Sequence, residues 1–242
     1  MTRIAMWSGP RSISTALMRS FENRPDTSVI DEPFYAHYLH ETGEDHPYAN
    51  ETIVSGETSW NKVAQYIIGD IPEGKRVWYQ KHMAQHNLPG KDLDWIDNMN
   101  NILLIRHPAQ VILSYLTKYE ITSINQLGYP QQNTLFNMLI KGRGDTPIIL
   151  DAEDVLAKPE GILLALCGRL NIAFYKEMLS WPAGGRESDG IWGKHWYDRV
   201  EMSTSFQPIS KKNNILPPDM QGLYNDCMEY YQQLYQHRMK IE

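Results

Sequence analysis

The stretch Ile4-Ala5-Met6-Trp7-Ser8-Gly9-Pro10-Arg11-Ser12-Ile13-Ser14-Thr15-Ala16 passes from an apolar strand pattern, through a polar turn, into the start of a helix. Arg3 to Trp7 reads as a first strand and Ser14 to Asn23 as a first helix. A strand–turn–helix junction aims unpaired backbone N–H groups at one point, and the helix dipole favours an anion there. Arg11 adds a fixed positive charge, and Ser12, Ser14 and Thr15 add hydroxyl donors. The loop Pro10, Arg11, Ser12, Ile13, Ser14, Thr15, Ala16 is therefore a candidate cradle for a phosphate or sulfate. The plain alternative is a helix start capped by Ser12 or Ser14 with no ligand. It is not a Walker loop, because the Gly-Lys-Ser/Thr ending is missing. A near match, Gly69-Asp70-Ile71-Pro72-Glu73-Gly74-Lys75-Arg76, carries Arg76 where a hydroxyl is needed and runs from helix to strand, the reverse of the required order. It reads as a turn.

Working outward, short apolar runs alternate with helical patterns. Thr27 to Ile30, Arg76 to Gln80, Ile102 to Ile105 and Pro147 to Leu150 are further strands. Trp60 to Ile68, the stretch from Pro108, Glu160 to Leu170 and Asp219 to Met239 are further helices. Alternation of this kind predicts an α/β fold with a parallel sheet. Ile102 to Ile105 is apolar throughout, as suits a parallel strand covered on both faces. Residues 180–218 read as a long excursion over the active face and not as a boundary, giving one domain over residues 1–242 with a C-terminal helix over 219–240. Met220, Leu223, Cys227, Tyr230, Tyr231 and Leu234 form the expected buried stripe of that helix.

The chain has 242 residues, of which 42% are hydrophobic, and its 7 Trp, 14 Tyr and 11 Met supply a core and exclude disorder. Two cysteines, Cys167 and Cys227, cannot staple a chain this long. The net charge is −6 with no run of five or six like charges, which argues against nucleic acid or an anionic membrane as partner, although basic groups can still cluster around a small anion. No apolar stretch reaches the roughly 18 residues of a membrane span. Arg3 leads straight into the first strand, leaving no room for a signal peptide, so a cytoplasmic protein is expected.

A second anion site follows another strand. Arg106 stands where the apolar strand ends, and Ser114 falls on the face of the next helix that His107 opens, two turns further on. Pro108 sits at the first helical position, where its missing N–H costs nothing. Both sites lie at the carboxyl edge of the sheet, where open α/β sheets bind ligands. Two anion sites after two strands of one sheet point to a ligand with two separated phosphates.

These residues resemble the P-loop sulfotransferases that use 3′-phosphoadenosine 5′-phosphosulfate (PAPS). Pro10-Arg11-Ser12-Ile13-Ser14-Thr15 is similar to the Pro-Lys/Arg-Ser/Thr-Gly-Thr-Thr loop that holds the 5′-phosphosulfate in that family. Arg106-His107-Pro108 with Ser114 resembles the Arg and Ser that hold the 3′-phosphate, and Asp151 to Pro159 resembles the family's Tyr-Glu-Asp-Leu stretch. Leu17-Met18-Arg19 and Asp31-Glu32-Pro33-Phe34 stand where the tyrosylprotein and bacterial glycolipid branches carry Leu-Met-Arg and a catalytic glutamate. The resemblance covers residues 3 to about 172 and implies a P-loop NTPase-like three-layer fold around a central parallel sheet. Ile13 departs from the pattern by replacing the loop glycine, so the backbone there is expected to avoid positive φ and to stand further from the ligand.

The resemblance implies sulfuryl transfer from PAPS to a hydroxyl of a small-molecule or glycan acceptor, without a metal. In that reading Arg11, Ser14 and Thr15 contact the bridging and peripheral oxygens, and Lys81 stabilises the departing phosphate oxygen. The base is Glu32 or His82; Glu32 matches the family's glutamate. His82 and His86 have a metal-like spacing, but no third ligand is evident. Lys211 and Lys212 match a late basic loop that closes on the 3′-phosphate. His37 and His40, and later Trp192, His195, Trp196 and Tyr197, are candidates to wall the acceptor pocket. A nucleotide kinase, which needs a Walker lysine, and a non-catalytic nucleotide-binding module, favoured by Ile13, are the alternatives.

Overall fold

The computed structural model of the chain describes residues 1–144, 146–208 and 215–241. In chain order its elements are β1 (Thr2–Ser8), α1 (Ser14–Glu22), β2 (Thr27–Asp31), α2 (Tyr35–Thr42), α3 (Ala49–Ser55), α4 (Trp60–Ile67), β3 (Val77–Met83), β4 (Asn100–Ile105), α5 (Pro108–Tyr115), α6 (Tyr129–Arg143), β5 (Ile148–Asp151), α7 (Ala152–Ala157), α8 (Pro159–Arg169), α9 (Gly193–Trp196), α10 (Asp198–Glu201) and α11 (Gln221–Tyr235).

The strands form one parallel sheet in the order β2-β3-β1-β4-β5. Successive side chains of a strand face opposite sides, and β1 divides the core accordingly. Ile4 and Met6 join Leu17, Phe21, Leu163 and Leu166 of α1 and α8, whereas Ala5 and Trp7 join residues of α4, α5, α6 and α11. Covered on both faces, the central Ile4 to Trp7 of β1 and Ile102 to Ile105 of β4 are apolar without interruption.

The chain leaves β1 toward β2 and β3 on one side and later returns to add β4 and β5 on the other. The crevice where the strand order reverses therefore opens at the carboxyl end of β1. Met6 is in register with Lys81 of β3 and Ile102 of β4, so three strands deliver their last residues to that crevice.

All five expected strands are present, but β3 runs three residues beyond the expected Gln80, to Met83. Its polar end interrupts the apolar pattern that sequence reading depends on. Burial there is compensated: Gln80 Nε2 donates to Ile67 O at 2.7 Å, and His82 Nε2 lies 3.1 Å from Gln80 Oε1. The helices α2, α3, α6, α7, α9 and α10 lie outside the set expected from sequence. The last helix is shorter than the 219–240 anticipated, because after Tyr235 the chain turns back and Met239 N donates to Ile149 O of β5 at 2.8 Å.

Candidate active site

Gly9 closes β1 against the turn at 124–127, where an added Cβ would lie 2.3 Å from Leu127 O. The loop that follows then winds tightly, with Arg11 at φ 59° and Ile13 at φ 61°. The expectation that Ile13 avoids positive φ is overturned. An isoleucine takes up the left-handed conformation that glycine adopts freely, at a cost of roughly 1–2 kcal/mol. Ile13 packs against the core of α1 and α8, which holds its side chain in place. No side chain caps α1. Ser12 Oγ donates instead to Pro10 O at 3.2 Å, so the amides of the first turn are left for a ligand.

Arg106, at the end of β4, reaches back to this loop and donates through Nη1 to Arg11 O at 2.5 Å. Arg11 Nε donates to Ser114 Oγ at 2.9 Å, and its Nη1 lies 3.4 Å from Trp196 O. The residues of the two candidate anion sites thus lie together on one surface. It lines a cavity of about 340 Å³ with Pro10 to Ala16, Glu32, Lys81, Arg106 and Ser114 on its walls. Arg199 of α10, not singled out by sequence, lines it too. Burial lowers the Arg11 pKa, and the nearby Arg199 and Arg106 charges lower it further. Among the described residues, none of Arg11, Arg106 and Arg199 forms an ion pair. Lys211 and Lys212 lie outside the described residues.

Lys81 is placed differently. Its buried ammonium donates to Asp31 Oδ1 at 2.8 Å, Glu32 Oε1 at 2.5 Å and Tyr197 OH at 2.7 Å, which commits all three of its protons. Burial pulls its pKa down, but Asp31 and Glu32 outweigh it and leave the pKa well above the usual lysine value. Glu32 turns the corner from β2 to α2 at φ 43°, with its N–H donating to Lys81 O at 2.9 Å. Burial and the neighbouring Asp31 raise the Glu32 pKa above the usual carboxylate value, against the opposing pull of Lys81. The expected role of Lys81 at the departing oxygen therefore conflicts with its contacts, since no proton is left for a ligand.

His82 does not reach this cavity. Lys81 and Met83 face it, so strand alternation turns His82 to the opposite side of the sheet, 4.4 Å from the Trp7 ring and among Phe34 and Trp95. Burial there holds its pKa down to about 3. His82 is thereby corrected from candidate base to core residue. His37 bonds through Nδ1 to Thr58 O at 2.6 Å and His40 is exposed, and neither lines the cavity. Their place is taken by Tyr35, the first residue of α2, with His46, His86 and Tyr115.

The excursion closes over the site. Trp192, Trp196, Tyr197, Arg199 and Val200 line the cavity, while His195 does not. Its anchors are polar: Arg19 Nη2 meets Asp189 Oδ2 at 2.6 Å, Gly190 N donates to Asp31 Oδ2 at 3.1 Å, and Tyr197 OH donates to Asp31 Oδ2 at 2.7 Å. Lys118 Nζ holds Asp198 at 2.7 Å. Sequence could not supply these pairings, because each joins residues distant along the chain.

A family model described as a sulfotransferase domain matches residues 2–237. Two curated proteins of Arabidopsis thaliana are similar along nearly the whole chain. The branched-chain-amino-acid aminotransferase-like protein 2 is 35% identical over 231 residues, covering 96% of this chain and 41% of that protein. The branched-chain-amino-acid aminotransferase-like protein 1 is 34% identical over 234 residues, covering 97% and 42%. The chain thus spans about two fifths of the length of these relatives. Among solved structures, the sulfotransferase domain of the Synechococcus PCC 7002 olefin synthase superposes with a TM-score of 0.61 at 18% identity, covering 100% of this chain and 96% of that one. The sulfotransferase domain of the curacin biosynthetic pathway gives 0.54 at 16%, covering 97% of each chain. The fold is accordingly the P-loop NTPase-like one, with helices on both faces of the parallel sheet.

Proposed function

Since the chain belongs to the sulfotransferase domain family, we propose that it transfers a sulfuryl group from PAPS to a hydroxyl of a small-molecule or glycan acceptor. The observation that carries this reading is the convergence of Arg11, Arg106 and Arg199, without acidic partners among the described residues, on an uncapped helix N-terminus in one cavity. Burial, and then the neighbouring arginine charges, lower the pKa of Arg11 and of Arg106, a setting that favours an anionic ligand. The residues fit the donor at both ends. The amides and hydroxyls of Ser14 and Thr15, with Arg11, suit the phosphosulfate, and Arg106 and Arg199 suit the 3′-phosphate. Ser114 holds Arg11 in its present orientation.

The donor supplies the sulfuryl group; the chain orients it and manages one proton. The acceptor oxygen forms the new O–S bond, its proton passes to Glu32, and adenosine 3′,5′-bisphosphate (PAP) departs. Glu32 is the one carboxylate lining the cavity among the described residues, and a raised pKa makes it a stronger base than a free glutamate. Lys81 then serves to hold Glu32 and Asp31, and the charge developing on the departing oxygen falls to Arg11 and the α1 amides.

Calorimetry tests the donor assignment: PAP should bind at least tenfold tighter than ATP, which lacks a 3′-phosphate, and equal affinity would sink it. Transfer of ³⁵S from labelled PAPS into a metabolite extract tests the reaction. Glu32→Gln should lower that rate by about 10²–10⁴-fold, and an unaffected variant would remove Glu32 as the base.

A further inference from the structure

One end of the cavity is a contiguous wall of rings, Tyr35, His46, His86, Tyr115, Trp192 and Trp196, with Arg11 Nη1 at its border, 3.4 Å from Trp196 O. Within it His86 is held rigidly. Its ring lies parallel to Tyr35, 4.8 Å between centroids at 4°, and stacks on Tyr38 at 4.7 Å. Its Nδ1 is buried and has no hydrogen-bond partner among the described residues. An unpaired buried acceptor is better tolerated than an unpaired buried N–H, which assigns the hydrogen to Nε2 and makes that atom a donor. Burial, and the nearby His46 and Lys81, keep the ring neutral by lowering its pKa well below the usual value.

His86 Nε2 faces Glu32 Oε2 across 3.9 Å, too far for a direct hydrogen bond. Oε1 of the same carboxylate is taken by Lys81, and no described residue bonds Oε2. A donor and an acceptor, both uncommitted, thus flank a gap that one oxygen can bridge from beside the line joining them, at about 2.8 Å from each. A hydroxyl is the group that satisfies both at once, accepting from Nε2–H and donating to Oε2. Its remaining lone pair is then free to attack.

Resting on the sulfuryl-transfer reading for its place in a reaction, we propose that this ring-lined end is the acceptor subsite for a flat hydroxyl compound, whose hydroxyl is clasped between His86 Nε2 and Glu32 Oε2. The rings set the shape of the guest, since Trp192 stands edge-on to Tyr35 at 4.9 Å and 87° and the walls are planar surfaces. The hydroxyl clasp sets which end of the guest enters first.

The test measures binding of 4-methoxyphenol, methoxybenzene and 4-methoxycyclohexanol to the full chain by tryptophan fluorescence. The phenol should bind at least tenfold tighter than methoxybenzene, which lacks the hydroxyl, and than the cyclohexanol, which is not flat. His86→Phe keeps the stacking on Tyr35 and Tyr38 but loses the donor, and should abolish the advantage over methoxybenzene. His86→Gln carries an amide nitrogen near the former Nε2 and should restore most of it. No preference for the phenol in the wild-type chain, no binding of any probe, or a preference surviving in His86→Phe overturns the proposal. PAP calorimetry on the same samples reports on the donor separately. A phenol preference without PAP binding keeps the subsite and removes the donor assignment, and PAP binding without the preference does the reverse.

Discussion

Four cations line the cavity among the described residues, and they divide sharply by what answers their charge. Lys81 sits in a buried cluster with Asp31, Glu32 and Tyr197, every proton placed. Arg11 and Arg106 donate to backbone carbonyls, a serine and a glutamine, and neither they nor Arg199 has a carboxylate within ion-pair reach among the described residues. In the sequence Arg11, Lys81 and Arg106 look alike, each a basic residue near a strand end. The structure separates them: the lysine's charge is used to build the site, and the arginines' charge is left for what enters it.

Removing the built-in charge should have the larger effect, and on stability. Lys81→Met leaves two buried carboxylates facing each other, and breaking a buried pair in this way costs about 3–5 kcal/mol. Without the ammonium, burial and the Asp31 charge raise the folded-state pKa of Glu32 free of the opposing pull of Lys81. The stability that Glu32 contributes is then fully present below its unfolded pKa and lost as pH rises through the folded value. Urea denaturation should therefore show the deficit of Lys81→Met shrinking from pH 8 to pH 5. A deficit independent of pH would mean that the carboxylates are not its origin.

Arg106→Ala should do the opposite, leaving stability nearly unchanged and weakening PAP. Loss of a charge-assisted contact to a phosphate is worth about 1.5–3 kcal/mol, or roughly 10–150-fold in affinity. The loss should diminish in high salt, which screens the half-exposed arginine cluster more than it screens Lys81. If Arg106→Ala unfolds the protein while Lys81→Met merely binds PAP poorly, the division drawn between the two kinds of cation is wrong.

The same division explains what was legible beforehand. The cradle from Pro10 to Ala16 and the pair Arg106 and Ser114 announce themselves locally, because a polar turn after an apolar strand needs only neighbouring residues to be recognised. The cluster around Lys81 does not. Asp31 lies 50 positions from Lys81 and 166 from Tyr197, and nothing near Asp31 indicates either partner. Arg199 is equally silent, an ordinary charged residue on a four-residue helix that folds back over the site. The helix α2 escapes because three of its five buried residues, Tyr35, His37 and Tyr38 beside Ala36 and Leu39, are rings with polar atoms that blur an apolar period. His82 misleads for the converse reason. It adjoins Lys81 in sequence, yet one step along a strand reverses the face.

His82→Phe sharpens that last point with a smaller effect. The folded-state pKa of about 3 lies below the ordinary histidine value of about 6.5, so the unfolded chain binds the extra proton between those limits. Stability from this group is present above pH 6.5 and lost as pH falls toward 3, with a slope of up to about 1.4 kcal/mol per pH unit. Phenylalanine suits the neighbouring rings of Trp7, Phe34 and Trp95 and should remove that slope. Denaturation at pH 7 and pH 5 compares the two proteins, and turnover should be unchanged, because the ring does not face the cavity. A collapse of kcat would return His82 to the reaction.

The smallest effect tests how firmly the cradle itself is held. Ile13 keeps a left-handed backbone without glycine's freedom, so its Cβ carries a strain that its packing against α1 and α8 offsets. Ile13→Ala removes the packing and keeps the Cβ; Ile13→Gly removes both. At an ordinary helical position glycine is less stable than alanine by roughly 0.5–1 kcal/mol. Here the order should invert, with Ile13→Gly the more stable of the two by about 1 kcal/mol in chemical denaturation. PAP should bind both variants alike, since the amides of α1 point to the same place in each. Glycine falling below alanine would mean that the loop relaxes out of the left-handed region when the side chain is lost, so that the isoleucine's packing is what keeps the cradle wound.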